Sequence, residues 1–195
     1  ARLALLGSMG LSDQLIATLV VRTPRLLHTP LPELCRKLDA LIEELELPAD
    51  GLEEWFSKQP DALGVSGSRI TALRKWLAEI GLPDSSHTRI LRDHPKILTM
   101  RQDELRLRAS FFLSVLNGSP DELTQVPHVL TADIGRHIML RHAFCISRGL
   151  SVRPTEMLVK DTARFCMEVV GCNKEELRAF EREGMHLQFY QGAAL

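Results

Sequence analysis

The sequence is poor in aromatic residues and has no excess of charge of one sign. Phe, Trp and Tyr together make up 5% of the 195 residues, whereas leucine is abundant. A chain of this kind favours helices packed on helices over β-sheets. The formal net charge is −1, so binding to a polyanion has to depend on local clusters of basic residues. No apolar run reaches about 18 residues, so we expect no membrane-spanning helix and no membrane partner.

Cysteine is also scarce, and its spacing excludes the common metal and disulfide patterns. The four residues Cys35, Cys145, Cys166 and Cys172 form no Cys-x-x-Cys pair. We therefore predict reduced, buried thiols rather than a disulfide framework. His137 and His142 lie close to Cys145 in the sequence, but no fourth ligand accompanies them, so we predict no metal site.

Sequence motifs of the common enzyme classes are missing. The sequence has no glycine-rich phosphate loop with its lysine, no Gly-x-Ser-x-Gly and no His-Glu-x-x-His. We therefore predict no catalytic residue and no cofactor. No targeting segment is recognisable after Ala1, as expected if one was removed or if the sequence is the ordered part of a longer chain.

A short signal, proline followed three residues later by leucine, recurs along the chain. It begins at Pro24, Pro60, Pro95 and Pro127, and the intervals are 36, 35 and 32 residues (60 − 24, 95 − 60, 127 − 95). A period in the thirties is typical of a helical solenoid, in which each unit buries its apolar face against the next. The sequence therefore predicts an all-α fold, a right-handed or curved α-solenoid of stacked repeats.

The turn and helix-capping residues between the motif prolines predict where each repeat begins. We expect one repeat domain over residues 1–195, with units at about 5–46, 47–81, 82–118 and 119–150 and a degenerate cap at 151–195. Within these units, Ser12, Thr131 and Ser119 are predicted helix caps. Asp50 and Glu53 have the spacing of a capping box.

The repeated motif and its spacing resemble the mitochondrial transcription termination factor (mTERF) family. The turn residues Gly10, Glu46 and Gly81 each precede a motif proline by 14 residues, and the string from Ile90 to Leu98 looks like a family motif. The resemblance covers about residues 5–150. It implies a curved solenoid that binds double-stranded DNA or structured RNA on its concave face. It also implies that the protein acts in an organelle.

Two departures from the family pattern favour RNA over a long DNA duplex. The chain has only about five units, and its basic residues are modest in number. We therefore expect a mitochondrial protein, or alternatively a chloroplast protein, that binds structured RNA. The expected ligand is ribosomal RNA, and the expected role is that of a component or assembly factor of the mitochondrial ribosome.

Basic residues are unevenly distributed, which suggests where a nucleic acid would bind. Residues 31–63 carry 3 Lys/Arg and 9 Asp/Glu, a net charge of −6. Residues 69–108 carry 9 Lys/Arg and 5 Asp/Glu, a net charge of +4. Residues 136–164 carry 6 Lys/Arg and 2 Asp/Glu, again a net charge of +4. Clustered cations attract phosphates and release counterions. The predicted nucleic-acid-binding residues are Arg89, Arg92, Lys96, Arg136, His137, Arg141, Arg148, Arg153, Lys160 and Arg164. For any one of them, an ordinary solvated charge is an equally good interpretation.

Two other functions stay open at this point. The first is a double-stranded DNA-binding factor in transcription termination or regulation. The second, from a different class, is a protein-interaction scaffold. In that case the acidic second unit and the apolar stretch from Met185 to Tyr190 would bind ribosomal proteins or a partner enzyme.

Overall fold

The computed structural model describes residues 1–190, and every regular element in this range is helical. The chain divides into two compact units, the first formed by residues 1–100 and the second beginning at residue 101. The predicted all-α fold is confirmed. No helix among the described residues has the length and apolar character needed to cross a membrane. The single repeat domain over residues 1–195 stays a prediction, and its last five residues lie outside the described range.

The first unit contains seven α-helices and three 3₁₀ turns. The helices are α1 (Arg2–Ser8), α2 (Asp13–Arg22), α3 (Leu31–Leu45), α4 (Leu52–Lys58), α5 (Gly67–Glu79), α6 (Asp84–Asp93) and α7 (Lys96–Thr99). The 3₁₀ turns are Pro24–Leu27, Ala49–Gly51 and Pro60–Gly64. Its core is mainly leucine, with Phe56 and Trp76 also buried. The indole Nε1 of Trp55 donates a hydrogen bond of 2.8 Å to the Arg92 carbonyl and so ties α4 to α6.

The second unit contains shorter helices, and three of its segments are π-helical. The α-helices are α8 (Gln102–Ser110), α9 (Pro120–Gln125), α10 (Leu140–Ser147), α11 (Pro154–Leu158), α12 (Thr162–Arg164), α13 (Lys174–Arg182) and α14 (Met185–Gln188). One 3₁₀ turn covers Pro127–Leu130, and the π segments are Phe111–Val115, Ile134–Met139 and Phe165–Val170. The phenylalanines Phe112 and Phe165 are fully buried in this core.

The four motif prolines follow residues of nearly the same backbone conformation. The preceding residue has φ between −141° and −125° and ψ between 49° and 74° at Thr23, Gln59, His94 and Val126. Its carbonyl accepts a hydrogen bond from the N–H two residues after the proline, at 2.9 to 3.1 Å in all four copies. Proline disfavours a helical conformation in the residue before it, so each motif ends one helix and starts a tight turn.

The four turns bury the second residue after the proline more consistently than the motif leucine. The second residue after the proline is buried in every copy, at Leu26, Ala62, Ile97 and Val129. The motif leucine three residues after the proline is buried in the later copies, but Leu27 in the first is 43% exposed. The apolar side chain that each turn always buries therefore lies one residue nearer to the proline.

A left-handed residue lies just after each of the helices α1, α3 and α5. Gly10, Glu46 and Gly81, which the sequence spaces 14 residues before a proline, have φ of 85°, 51° and 88°. The next N–H donates back across the helix end, as Leu47 does to the Ile42 carbonyl at 2.9 Å. This satisfies a carbonyl that the helix end leaves without a partner. Backbone geometry of this kind is encoded locally, which is why the repeat is visible in the sequence.

Two predicted helix caps are confirmed and two are corrected. The Oγ atoms of Ser12 and Ser119 accept hydrogen bonds from backbone N–H groups, and Ser119 forms a full capping box. Thr131 does not cap the helix that follows, because Asp133 accepts the Arg136 N–H instead. Glu53 belongs to no capping box, because its carboxylate accepts hydrogen bonds from the N–H and Oγ of Ser12, at 2.9 and 2.6 Å.

Candidate nucleic-acid interface

The three basic residues predicted near the third proline motif differ in their surroundings. Arg89 and Lys96 are exposed. Arg92 is half-buried, and its guanidinium lies 3.3 Å from the Asp93 carboxylate and 4.0 Å from that of Glu46. Arg92 therefore contributes to the packing of the first unit, whereas Arg89 and Lys96 present charge to solvent.

The prediction that Arg141 binds nucleic acid at the surface is corrected, because the second unit buries its side chain. Only 8% of its surface is exposed. One guanidinium nitrogen, Nη1, donates to the carbonyls of Met157 and Lys160, both at 2.8 Å, and Nη2 donates to the Thr162 hydroxyl at 3.2 Å. The guanidinium also lies 4.9 Å from the centre of the Phe165 ring. Arg141 therefore connects α10 to the chain around α11 and α12, and it is not a surface contact for a phosphate.

The side chains of Arg136 and His137 are exposed and line a cavity of about 400 Å³ within the second unit. We call this the C-terminal cavity. Its lining is Arg136, His137, Leu140, Arg141, Thr162, Lys174, Leu177, Arg178 and Glu181. Four basic side chains besides the buried Arg141 line the cavity, and Glu181 supplies the one carboxylate of the lining. Outside the lining, Glu175 pairs with Arg178, and Asp133 and Asp161 act on Arg136 and Lys174. Neither Lys174 nor Arg178 stands out in the sequence, because α13 also carries several acidic residues.

The π turn Ile134–Met139 explains how two arginines reach the same cavity. Arg136 and Arg141 are five residues apart, which corresponds to about 140° around an α-helix. In a π turn the backbone bonds join residues five apart, so that such side chains lie on one face. The turn begins at Asp133, whose carboxylate accepts the Arg136 N–H at 3.1 Å. This backbone hydrogen bond is the main reason why the pKa of Asp133 is lowered.

The remaining predicted cations of the second unit all have carboxylate partners. The pairs are Arg148 with Glu176 at 2.5 Å, Arg153 with Glu156 at 2.5 Å, Lys160 with Glu168 at 2.6 Å and Arg164 with Asp161 at 3.8 Å. Glu168 and Glu176 lie beyond the basic window of residues 136–164, so the net charge of that window overstates the free positive charge. Exposed pairs of this type are weak, and a phosphate could replace the carboxylate.

Several other arginines bind backbone carbonyls at the end of a proline turn. Arg2, Arg69 and Arg108 donate to the carbonyls of Thr29, Met100 and Ala132, at 2.5, 2.5 and 3.1 Å. Each of these carbonyls belongs to the fifth residue after a motif proline. The repeated contact satisfies an acceptor that the turn leaves open, and it makes these cations part of the fold.

Two of the residues considered for metal binding, His142 and Cys145, have surroundings that do not favour a metal ion. The Nδ1 atom of His142 lies 2.5 Å from the Tyr190 hydroxyl. Burial raises the pKa of the Cys145 thiol to about 11, so that it stays protonated at neutral pH. Within residues 1–190 no group of three or more His, Cys, Asp or Glu side chains is arranged to hold a metal ion.

Comparison with known proteins identifies the family. The mTERF sequence profile matches residues 1–166, more than four fifths of the chain, which confirms the resemblance seen in the motifs. Among curated proteins, none matches the chain significantly. The matched range ends inside the π segment Phe165–Val170, so that α13 and α14 lie beyond it. The chain belongs to the mTERF family, whose members are helical-repeat, non-enzymatic nucleic-acid-binding proteins of mitochondria and chloroplasts.

Proposed function

We propose that this protein binds structured RNA in the mitochondrion, with the chloroplast as the alternative compartment. The RNA we favour is ribosomal RNA, and the protein would act as a component or assembly factor of the mitochondrial ribosome. The observation that carries the proposal is the basic lining of the C-terminal cavity, where Arg136, His137, Lys174 and Arg178 converge and Glu181 is the one carboxylate. Such a concentration of cations attracts phosphates whatever the base sequence.

The burial of the aromatic side chains favours folded RNA over an unstructured strand. Binding of single strands depends on aromatic platforms on which the bases stack. Both tryptophans and most phenylalanines are buried in the two cores, and Phe189 is the exposed aromatic side chain among residues 1–190. Contacts to the phosphates of a folded RNA need no such platform.

A salt titration tests the proposal. The full chain is mixed with a fluorescent RNA hairpin, and the affinity is measured by anisotropy between low and physiological salt. Three permanent cations in contact with phosphates predict a slope of about −2 to −3 in a plot of log K against log salt concentration. Arg136→Gln should weaken binding, whereas Arg25→Gln removes an exposed arginine of the first unit and should not. A flat salt response would contradict the proposal.

Competition distinguishes RNA from the second nucleic-acid candidate, a double-stranded DNA-binding factor in transcription. Unlabelled RNA hairpin and unlabelled DNA duplex of equal length compete for the same labelled complex. We expect the RNA to compete more strongly. Stronger competition by the duplex would favour the transcription factor.

A protein-interaction scaffold is the candidate from another class, and one surface observation favours it. Leu187 and Phe189 in the last described turn are 54% and 43% exposed, although Tyr190 beside them is buried against Phe111. Two neighbouring exposed apolar side chains suit a protein partner. An association in an organellar extract that survives nuclease treatment and is lost in Leu187→Ser would favour the scaffold.

A further inference from the structure

The buried guanidinium of Arg141 makes no direct ion pair with a carboxylate among residues 1–190, although Asp161 favours its charge from a greater distance. Its three hydrogen bonds go to two carbonyls and a hydroxyl, all of them neutral groups. No ion pair to Arg141 forms within residues 1–190. Burial lowers the pKa of the guanidinium, but an arginine stays protonated in proteins. A permanent positive charge is thus held beneath the surface of the second unit.

The C-terminal cavity lies over this charge. A guanidinium has five N–H donors, and three of those of Arg141 are used by protein acceptors, so two make no hydrogen bond to residues 1–190. Arg136 lies on the π turn, and Lys174 and Arg178 lie four residues apart on α13, which places them one above the other on the same helix face. Leu140 and Leu177 supply the apolar part of the lining.

Most of the acidic residues near the cavity lie outside its lining. Glu181 is in the lining, and Glu175 pairs with Arg178 at 2.7 Å while both side chains remain mostly exposed. An exposed ion pair of this kind contributes little to stability. Arg178 can therefore leave the Glu175 carboxylate and bind a phosphate instead. Asp133 and Asp161 also act on Arg136 and Lys174, but both carboxylates are exposed. Of the four nearby carboxylates only Glu181 lines the cavity, whereas Arg136, Lys174, Arg178 and Arg141 all do.

We propose that the C-terminal cavity is a discrete subsite for one phosphate group, held by Arg136, Lys174 and Arg178 above the buried charge of Arg141. The subsite deepens the proposed function and rests on it where the phosphate belongs to a bound RNA. The group that the subsite would bind is a phosphate oxyanion, to which a planar guanidinium can donate two parallel hydrogen bonds. The RNA backbone and a free nucleotide are the two sources. Arg136 and Arg141 lie inside the range matched by the family profile, whereas Lys174 and Arg178 on α13 lie beyond it.

Substitutions on one helix test the subsite with RNA. Lys174→Gln and Arg178→Gln each remove one cavity charge, and Arg182→Gln removes an exposed arginine of the same helix that does not line the cavity. Each cavity variant should lower the salt slope of RNA binding by about 1 and weaken binding to different RNA hairpins alike. Arg182→Gln should bind as the unchanged chain does. Equal losses in Arg178→Gln and Arg182→Gln would overturn the subsite and leave the proposed function standing.

A second arm tests the cavity without RNA. Side-chain N–H resonances of the arginines are followed by NMR while inorganic phosphate, or uridine monophosphate, replaces chloride at constant ionic strength. We expect the resonances of Arg136, Arg141 and Arg178 to shift and that of Arg182 to stay in place. Equal shifts of all arginines, or none, would overturn the subsite.

The two arms together separate the sources and the two hypotheses. If the monophosphate shifts the cavity resonances but the cavity variants bind RNA normally, the phosphate is that of a free nucleotide, and the subsite stands. If the unchanged chain binds no RNA, the proposed function fails, and the NMR arm alone decides the subsite.

Discussion

Replacing Arg141 by methionine should destabilise the second unit far more than any change at the exposed cations. Methionine keeps most of the length of the side chain but donates no hydrogen bond. The Met157 and Lys160 carbonyls, which accept from Nη1 at 2.8 Å, lose their donor. A buried acceptor left without a partner costs about 1–3 kcal/mol, so two of them give about 2–6 kcal/mol.

Two smaller effects act in opposite directions. Loss of the contact with the Phe165 ring, 4.9 Å from the guanidinium, adds about 0.5–2 kcal/mol. Burying a charged guanidinium costs desolvation free energy, and a neutral methionine does not have this cost. Part of the lost stability is therefore recovered. We therefore expect a decrease of about 3 kcal/mol in the free energy of unfolding, a large share of the 5–15 kcal/mol typical of a folded domain.

Urea unfolding followed by circular dichroism at 222 nm measures this decrease. Arg136→Met is the matched control, because it removes an arginine five residues earlier whose side chain is exposed, and it should change stability by no more than about 0.5 kcal/mol. If Arg141→Met were as stable as Arg136→Met, Arg141 would not support the fold, and the distinction between buried and surface cations would be refuted.

Three further substitutions test the turns and helix ends. In Gly118→Ala the new Cβ would lie 2.3 Å from the buried ring of Phe112, so urea unfolding should show a loss of about 1–3 kcal/mol; unchanged stability would mean that the ring can move. Glu46 holds φ at 51°, so Glu46→Gly should stabilise the chain by about 1 kcal/mol, seen as a higher melting temperature, whereas Glu46→Ala should not. Hydrogen bonds from the side chain and backbone of Ser12 lower the pKa of Glu53 below its ordinary 4.5. Its stabilising effect should therefore be complete above pH 4.5 and fade as the pH falls through the lowered folded value. Unfolding of Glu53→Gln and the unchanged chain should differ above that range and converge below it, and a constant difference at all pH values would contradict this origin.

Local backbone signals explain why the repeat could be predicted. Pro24 and its three counterparts fix the conformation of the residue before them, and Gly10 and Gly81 mark left-handed helix ends. Both effects act within a few residues, so spacing in the sequence is enough to find them. The capping box at Ser119 is of the same kind, since its partner Glu122 is three residues away.

Predictions failed where the partner is distant along the chain. The sequence predicts a local cap at Glu53, but its carboxylate accepts hydrogen bonds from Ser12, 41 residues earlier. Arg141 was expected at the surface, but its acceptors are carbonyls 16 and 19 residues later. Hydrophobic periodicity does not reveal the π turn Ile134–Met139. The turn covers only six residues, so its departure from the 3.6-residue period of an α-helix hardly changes the pattern of apolar residues.

The sequence alone determined that this chain is an all-helical repeat protein of the mTERF family, because prolines and left-handed turn residues act on their immediate neighbours. The family that it resembles consists of non-enzymatic nucleic-acid-binding proteins, so the resemblance favoured binding over catalysis. Tertiary structure decided which cations remain exposed and which hold the fold together. An arginine in a helix can meet a carbonyl, a carboxylate or solvent, and only the packing of other helices against it determines which. For the same reason Lys174 and Arg178, unremarkable in the sequence, come to line the C-terminal cavity with Arg136.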